Sequence, residues 1–262
     1  MIGVQFDGLD GEGISIQDLF QDPIGQGLTG AGTPNSASLS VQLMYWDPAE
    51  SGNYVMLYLN NNSSQTARYN KWCLEAAPKD TSWGSAKNAA STKRLVSGMG
   101  LWLIRPAGTY DQPLTLTMAG QVVVAQDGRT YTCREGYTMI SGGFTTGFAP
   151  NPDVAGVGEA IDWLGKGFRG AGTPNSASLS DQIMYWDPTE TGNYVMLYLN
   201  NNSSQTARYN KWCLEAAPKD TSWGTAKNAA TSKVIPEGRG FWIVRPSGAG
   251  SLTFTLPQPY TL

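Results

Sequence analysis

The sequence contains one long stretch twice. GNYVMLYLNNNSSQTARYNKWCLEAAPKDTSWG runs from Gly52 to Gly84 and again from Gly192 to Gly224, a spacing of 140 residues (192 − 52). GAGTPNSASLS recurs at the same spacing, at Gly30 and at Gly170. A fixed period constrains the fold strongly, because both copies must form the same structure. The chain of 262 residues is therefore predicted to hold two homologous domains that arose by internal duplication.

The register of the repeat sets the predicted domain boundaries. PLTLTM at Pro113 matches SLTFTL at Ser251, and copy two is two residues shorter in the turn before this segment, so Met1 corresponds to Met139. We predict copy one over residues 1–118 and copy two over residues 138–262, joined by a connecting β-hairpin at 119–137. The hairpin turn is placed at Asp127-Gly128, a dipeptide suited to tight turns. Since the connector precedes copy two alone, copy one is expected to lack an edge element.

Alternating apolar and polar residues predict strands in both copies. The residues of 54–59 are apolar or aromatic on both faces, which predicts a central strand or one covered by a partner. A short helix, ISIQDLF, is predicted after Ser15, with a counterpart at Ala160–Leu164. The fold class is all-β, two tandem β-sandwiches or open barrels. Strands are also predicted at Leu114–Met118 and at its counterpart Leu252–Leu256. The remaining predicted strands, each with a counterpart 140 residues on, are Gln42–Trp46, Ala67–Leu74 and Leu101–Arg105.

Composition excludes several classes of function. The 18 basic and 21 acidic residues give a net charge of −3 with no block of like charges, so a nucleic-acid partner is disfavoured. No apolar run is long enough to span a membrane, and MIGVQFDG lacks the regions of a signal peptide. The absence of histidine removes the usual general base and the commonest zinc ligand. No cofactor or metal is expected.

Acidic residues were weighed as enzyme or metal sites. Four carboxylates recur in both copies, and a glycosidase would need such a pair in a cleft. Turn formation explains them better, since Asp47-Pro48 is a good turn starter. DGLDGEG, from Asp7 to Gly13, loosely matches a calcium loop, but a glycine-rich turn is favoured. No enzymatic activity is predicted. The four carboxylates are Asp47, Glu50, Glu75 and Asp80, which recur as Asp187, Glu190, Glu215 and Asp220.

Repeated aromatic residues suggest a ligand-binding alternative. Exposed tyrosine and tryptophan beside asparagine can stack on sugar rings or anchor a protein interface, although most are expected in the core. Trp83 lies in a polar loop and is predicted to be the most exposed tryptophan. The alternative ligand-binding residues are Tyr54, Tyr69, Trp83, Tyr194, Tyr209 and Trp223.

Differences between the copies suggest an assembly surface. Val41 is replaced by Asp181, and Met99 by Arg239, so two apolar residues become two opposite charges. We infer that these positions are neighbours and that the surface of Val41 and Met99 is covered. Of three cysteines, Cys133 lies outside the close repeat; it is the better candidate for a link to another chain, although a buried thiol is favoured. A sheet edge in copy one is expected to accept a strand from another chain, for example the connector or the C-terminal segment with Leu252, Phe254 and Leu256.

Three short motifs carry a resemblance to a known group. GxGFW at Gly238–Trp242, YWD at Tyr185–Asp187 and GYTMISGGF at Gly136–Phe144 resemble uncharacterised secreted bacterial proteins built from tandem β repeats. The resemblance implies an extracellular or cell-surface location and carries over no catalytic residue.

These observations together predict a structural protein. The expected function is a non-enzymatic subunit that assembles with itself into an extracellular filament, tube or sheet, through head-to-tail contacts and strand-edge pairing. The alternative is a carbohydrate-binding module with duplicated aromatic sites, whose two weak sites would gain from avidity.

Overall fold

The structure is a computed structural model that describes residues 1–8, 11–47, 50, 54–108, 114–190 and 194–259. The chain divides into two compact units, Met1–Val123 and Val124–Leu262. Both units consist mainly of strands in antiparallel sheets, and the described α-helices, α1 (Ile16–Leu19) and α2 (Pro152–Ala155), are short. The prediction of an all-β fold is confirmed.

Unit 1 contains one five-stranded sheet in the order β1-β8-β4-β5-β6, with two small two-stranded sheets, β2-β9 and β3-β7. A 3₁₀ segment at Pro34–Leu39 precedes β4, and another at Thr81–Trp83 follows β6. The strands are β1 (Ile2–Gly3), β2 (Phe6–Asp7), β3 (Ile14–Ser15), β4 (Gln42–Trp46), β5 (Tyr54–Asn60), β6 (Lys71–Leu74), β7 (Arg94–Leu95), β8 (Gly100–Ile104) and β9 (Gln121–Val122).

Unit 2 contains a five-stranded sheet in the order β11-β15-β12-β13-β14 and a two-stranded sheet, β10-β16. Its 3₁₀ segments lie at Pro174–Leu179, Pro188–Glu190 and Thr221–Trp223. The strands are β10 (Arg129–Cys133), β11 (Gly136–Ser141), β12 (Gln182–Trp186), β13 (Tyr194–Asn200), β14 (Lys211–Leu214), β15 (Gly240–Arg245) and β16 (Leu252–Leu256).

The two five-stranded sheets have the same strand order and register. Ile2 lies opposite Leu101 in unit 1, and Ile140 lies opposite Phe241 in unit 2. These pairings place Ile2 and Ile140 at equivalent positions, 138 residues apart (140 − 2). The correspondence of Met1 with Met139, expected from the sequence, agrees with this register.

Both faces of the central strand β5 are covered within unit 1. Val55, Leu57 and Leu59 belong to the main core. Tyr58 is fully buried on the other face, in a small cluster with Ala31, Ala37 and Cys73. The apolar character of both faces is therefore explained by the chain's own 30–40 segment, which packs across the sheet.

Local signals predicted one of the two helices. Ser15 caps α1 as expected, because its hydroxyl oxygen accepts a hydrogen bond from the Asp18 N–H at 3.1 Å. The helix expected at Ala160–Leu164 was wrong, since that segment ends in a turn and the short helix of unit 2 lies at Pro152–Ala155. Proline at the first helical position favours that start.

The connector does not form the predicted hairpin. The chain turns near Asp127, where the Gly128 N–H donates to the Ala125 carbonyl, but the two flanking strands do not pair with each other. β9 pairs with β2 in unit 1, and β10 pairs with β16 in unit 2. Pairing with strands from elsewhere in each unit therefore overrides the local turn signal.

Two predicted strands are shorter than expected or absent. In Ala67–Leu74 only Lys71–Leu74 is a strand, because Asn70 has a positive φ of 57° and ends a turn there. Leu114–Met118 is described but is not a strand, although its counterpart β16 is. The predictions that fall at 9–10, 48, 113 and 260–262 lie outside the described residues.

Candidate interaction surface

The most closely matching parts of the two units form what we call the repeated surface. It comprises residues 30–40 and 54–90 of unit 1 with residues 170–180 and 194–230 of unit 2. Within these ranges the two copies differ only at Ser85, which is Thr225 in copy two. The segments before residue 30 differ extensively from their counterparts. Identity is therefore concentrated in one part of each unit.

Hydrogen bonds join the segments of the repeated surface around the end of β5. The Ala31 N–H donates to the Leu59 carbonyl at 2.8 Å, and the Asn61 N–H donates to the Ala31 carbonyl at 3.1 Å. The Asn60 amide donates to the Tyr58 hydroxyl at 3.1 Å. Gly30 is required here, since a Cβ atom would lie 2.7 Å from the Asn61 Cβ. These contacts hold residues 30–31 against residues 58–61 at the end of β5.

Exposed apolar side chains occupy the same positions in both copies. Leu39 and Leu179 are 66% and 65% exposed, and Tyr69 and Tyr209 are 42% and 43% exposed. Exposed positions tolerate substitution with little effect on stability, so folding alone does not require these residues. Large exposed apolar residues with a polar rim are typical of protein interfaces.

A polar groove of about 440 Å³ lies within the repeated surface of unit 1. Asn35, Tyr54, Glu75 and Lys87 line it, and the Lys87 ammonium donates to the Asn35 amide oxygen at 3.2 Å. In unit 2 the counterpart lysine makes the same bond at 3.1 Å. The groove therefore combines polar side chains with the aromatic ring of Tyr54.

The recurring carboxylates serve as structural acceptors. Asp47 accepts from the Trp83 indole N–H at 2.7 Å, and Glu75 accepts from the Gln42 amide at 2.9 Å. Glu50 accepts from the backbone N–H of Asp80. The Asp80 carboxylate caps the 3₁₀ segment Thr81–Trp83, and hydrogen bonds from the hydroxyl and N–H of Ser82 lower its pKa to about 2. Turn and cap formation thus accounts for these residues.

The tryptophan expected to be exposed is buried. Trp83 and Trp223 are each 0% exposed, and each indole N–H donates to the aspartate that follows β4 or β12. The prediction relied on the polar neighbours in PKDTSWG and was wrong. A buried aspartate accepts the indole hydrogen bond, so the ring can lie in the core. Of the alternative ligand-binding residues, Tyr54 and Tyr194 are half-buried, and Tyr69 and Tyr209 are exposed.

The proposed surface of Val41 and Met99 is part of the core of unit 1. Val41 is 0% exposed, and Met99 is half-buried against the same core. In unit 2, Asp181 is also fully buried, but its cationic partner is Arg245, at 2.9 Å, rather than the exposed Arg239. Val41 and Asp181 are each buried within their own unit, so neither is available as an assembly surface.

Burial also removes Cys133 and the strand β16 from the assembly candidates. Cys133 is a free thiol at 0% exposure, and burial raises its pKa to about 12, which disfavours a link to another chain. Phe254 and Leu256 are each 4% exposed in the core of unit 2, and Leu252 packs against it. Since β10 and β16 pair with each other, neither is free to be donated without opening unit 2.

Two side-chain amides that the sequence analysis did not single out have equivalent roles. Gln17 donates to the Trp72 carbonyl at 2.9 Å and accepts from the Trp72 N–H at 3.0 Å. Asn151 makes the same pair of bonds to Trp212, at 2.8 and 2.9 Å. No pattern could have matched them, because they lie in segments that do not align. By contrast, Leu39 could have been found, since it lies inside the repeated GAGTPNSASLS.

The described residues show neither a group of three metal-ligating side chains nor a helix that could cross a membrane. No protein-family model, curated protein or solved structure matches the chain.

Proposed function

We propose that this protein is a non-enzymatic structural subunit that assembles with other copies of itself into an extracellular filament, tube or sheet. In this proposal the two units derive from a duplication of about 140 residues, each forming a β-sandwich or open barrel, and the repeated surface supplies two equivalent contacts per chain. The observation that carries the proposal is the identity of exposed residues in both copies, above all Leu39 and Leu179 at 66% and 65% exposure.

Physical reasoning favours contact over folding as the role of these leucines. Burying one exposed leucine at an interface contributes roughly 1.5–3 kcal/mol. Two identical patches on one chain would let each molecule contact two neighbours, which is the minimum for an open-ended assembly. The extracellular location follows from the resemblance to secreted bacterial tandem β-repeat proteins and is part of the proposal.

The test is the mass in solution as a function of protein concentration, measured by light scattering together with negative-stain electron microscopy. We expect masses well above the 28.2 kDa of one chain and regular particles. The double variant Leu39→Ser/Leu179→Ser should remain folded and lose assembly. The matched control is Val157→Ser, which removes an apolar residue that is 61% exposed outside the repeated surface. A monomer at every concentration, or unchanged assembly of the double variant, would refute the proposal.

A second candidate function is carbohydrate binding, which the polar groove with Asn35, Tyr54, Glu75 and Lys87 favours. An aromatic ring beside amide, carboxylate and ammonium groups suits the ring face and hydroxyl groups of a sugar. A glycan screen followed by calorimetry tests it. Binding with two sites per chain that is lost in Tyr54→Ala/Tyr194→Ala would favour this function, and the absence of any bound glycan would exclude it.

A further inference from the structure

The last strand of unit 2 has a partner strand that seals the core. β16 pairs with β10 over five residue pairs, from Arg129 opposite Leu256 to Cys133 opposite Leu252. Tyr131, 6% exposed, stacks on Phe254 with ring centroids 5.4 Å apart. The apolar side chains of β10 thus cover one edge of the core of unit 2.

Threonine pairs line the outer face of the same two strands. The hydroxyl groups of Thr130 and Thr255 lie 3.0 Å apart, and those of Thr132 and Thr253 are also 3.0 Å apart. Cross-strand pairs of this kind stabilise an antiparallel sheet and favour one register. A strand that fits beside β16 therefore alternates threonine with an apolar residue.

Unit 1 contains the counterpart of β16 at residues 114–118. By the 138-residue register, Leu114, Leu116 and Met118 correspond to the apolar residues of β16, and all three pack against the core of unit 1. Their exposure is intermediate, whereas Phe254 and Leu256 are 4% exposed. Among the described residues, no strand pairs with 114–118.

The backbone hydrogen bonds of this segment to other described residues are at Thr117 and Ala119. The Thr117 N–H donates to the Gln26 side chain at 2.7 Å, and the Ala119 N–H donates to the Leu19 carbonyl at 3.2 Å. Alternate residues of an extended chain direct their backbone groups to opposite sides. In an extended segment the backbone groups of Leu116 and Met118 therefore point away from Leu19 and Gln26.

We propose that the segment 114–118 is an acceptor site for an extended segment of another polypeptide, which adds to unit 1 as an antiparallel strand. Its chemistry follows from the filled site of unit 2: threonine opposite Thr115 and Thr117, and aromatic or apolar residues opposite Leu114 and Leu116. Strand addition of this kind uses backbone hydrogen bonds for affinity and alternate side chains for specificity.

The number of edges and of matching strands among the described residues indicates that the partner is a separate segment rather than β10 of a second copy. The described residues contain two edges of this kind, 114–118 and β16, and one strand, β10, that fits them. An exchange of β10 between copies would fill one edge by emptying another. The acceptor site is thus distinct from the repeated surface and does not depend on the proposed self-assembly.

A labelled peptide tests the site on the full chain. The probe is a fluorescein-labelled peptide with the sequence of residues 128–134, GRTYTCR, with valine in place of Cys133 to prevent oxidation. Fluorescence anisotropy should show saturable binding of one peptide per chain. A control peptide, GRYTVTR, moves the aromatic and apolar side chains to the outer face, and we expect it to bind at least tenfold more weakly because a one-residue shift exchanges the faces.

Two changes to the protein locate the binding and keep the test independent of misfolding. Leu116→Asp should abolish peptide binding, and its folding is checked by circular dichroism. In the second, the sequence of residues 127–138 is placed directly before Met1, in the register that β10 has in unit 2. This extension should raise the melting temperature of unit 1 and block the peptide. Equal binding of both peptides, or unchanged peptide binding in the extended chain, would overturn the proposal whatever the assembly state measured by light scattering.

Discussion

Replacing Asp181 by valine, the residue that copy one has at this position, tests the role of the buried ion pair between Asp181 and Arg245 in unit 2. Asp181 is 0% exposed and accepts from the Arg245 guanidinium at 2.9 Å and from the Arg169 N–H at 2.6 Å. Burial raises the pKa of Asp181, and the hydrogen bond from Arg169 and the charge of Arg245 oppose that rise. The variant leaves Arg245, 4% exposed, without its carboxylate.

The expected loss of stability is large. Removing one partner of a buried ion pair costs about 3–5 kcal/mol, because the remaining charge stays buried. Arg245 keeps hydrogen bonds to the carbonyls of Gly250 and Ala249, at 3.0 and 3.3 Å, which places the cost near the lower end. Since about 1.4 kcal/mol is a factor of ten, the equilibrium constant for unfolding of unit 2 should rise at least about 100-fold.

Amide hydrogen exchange with mass spectrometry measures this change for each unit separately. Peptides from 54–84 and 194–224 cannot be told apart, so the readout uses peptides from 11–28 and 139–168, whose sequences differ. Exchange in unit 2 should accelerate by the factor above, and exchange in unit 1 should stay unchanged.

Two controls decide whether the ion pair is responsible. Arg239→Met removes an exposed charge and should change stability by less than about 0.5 kcal/mol. Asp181→Val combined with Arg245→Leu should recover much of the loss, because an apolar pair of similar volume is often as stable as a buried ion pair. The reasoning is refuted if Asp181→Val is neutral, or if Arg239→Met destabilises unit 2 equally.

Three further predictions follow from buried or capped groups. Trp83→Phe should destabilise unit 1 by about 1–3 kcal/mol in urea unfolding, because the buried Asp47 carboxylate loses a donor; an unchanged midpoint would contradict this. Asp80→Asn should lower the melting temperature at pH 7. The lowered pKa of Asp80 means that its contribution is present above about pH 4 and is lost as pH falls toward about 2, so the two melting temperatures should converge there. Finally, a thiol reagent at pH 7 should leave the native protein unmodified and label three thiols in urea, since burial raises the thiol pKa values to about 11 or 12; rapid labelling of the folded chain would show that a thiol is accessible. The thiols are those of Cys73, Cys133 and Cys213.

Much of the strand pattern could be predicted because it depends on local alternation. β4 was predicted with its observed bounds, and β5 differs by one residue at its end. The helix cap at Ser15 was also predicted, since capping depends on neighbouring residues. The connector could not be predicted in this way, because each of its two strands pairs with a segment more than 100 residues away in the sequence.

The candidate surface was only partly visible in the sequence. The repeat showed which residues recur in both copies, but exposure depends on which loops cover which side chains. Trp83 lies among polar neighbours and is buried, whereas Leu39, a large apolar residue between two serines, is exposed. Burial is a property of the packed structure, so no local pattern determines it.

The sequence by itself determined that the chain is all-β and carries one surface twice, because periodicity and identity can be read directly from the residues. Only the tertiary structure decided which edges are filled. The segment 114–118 and its counterpart β16 share the same alternation, yet β16 pairs with β10, whereas 114–118 pairs with no strand in the part of the chain that the structure describes. The physical reason is that an extended segment forms a β-strand only when a neighbouring backbone satisfies its hydrogen bonds. That neighbouring backbone comes from elsewhere in the chain or from another molecule.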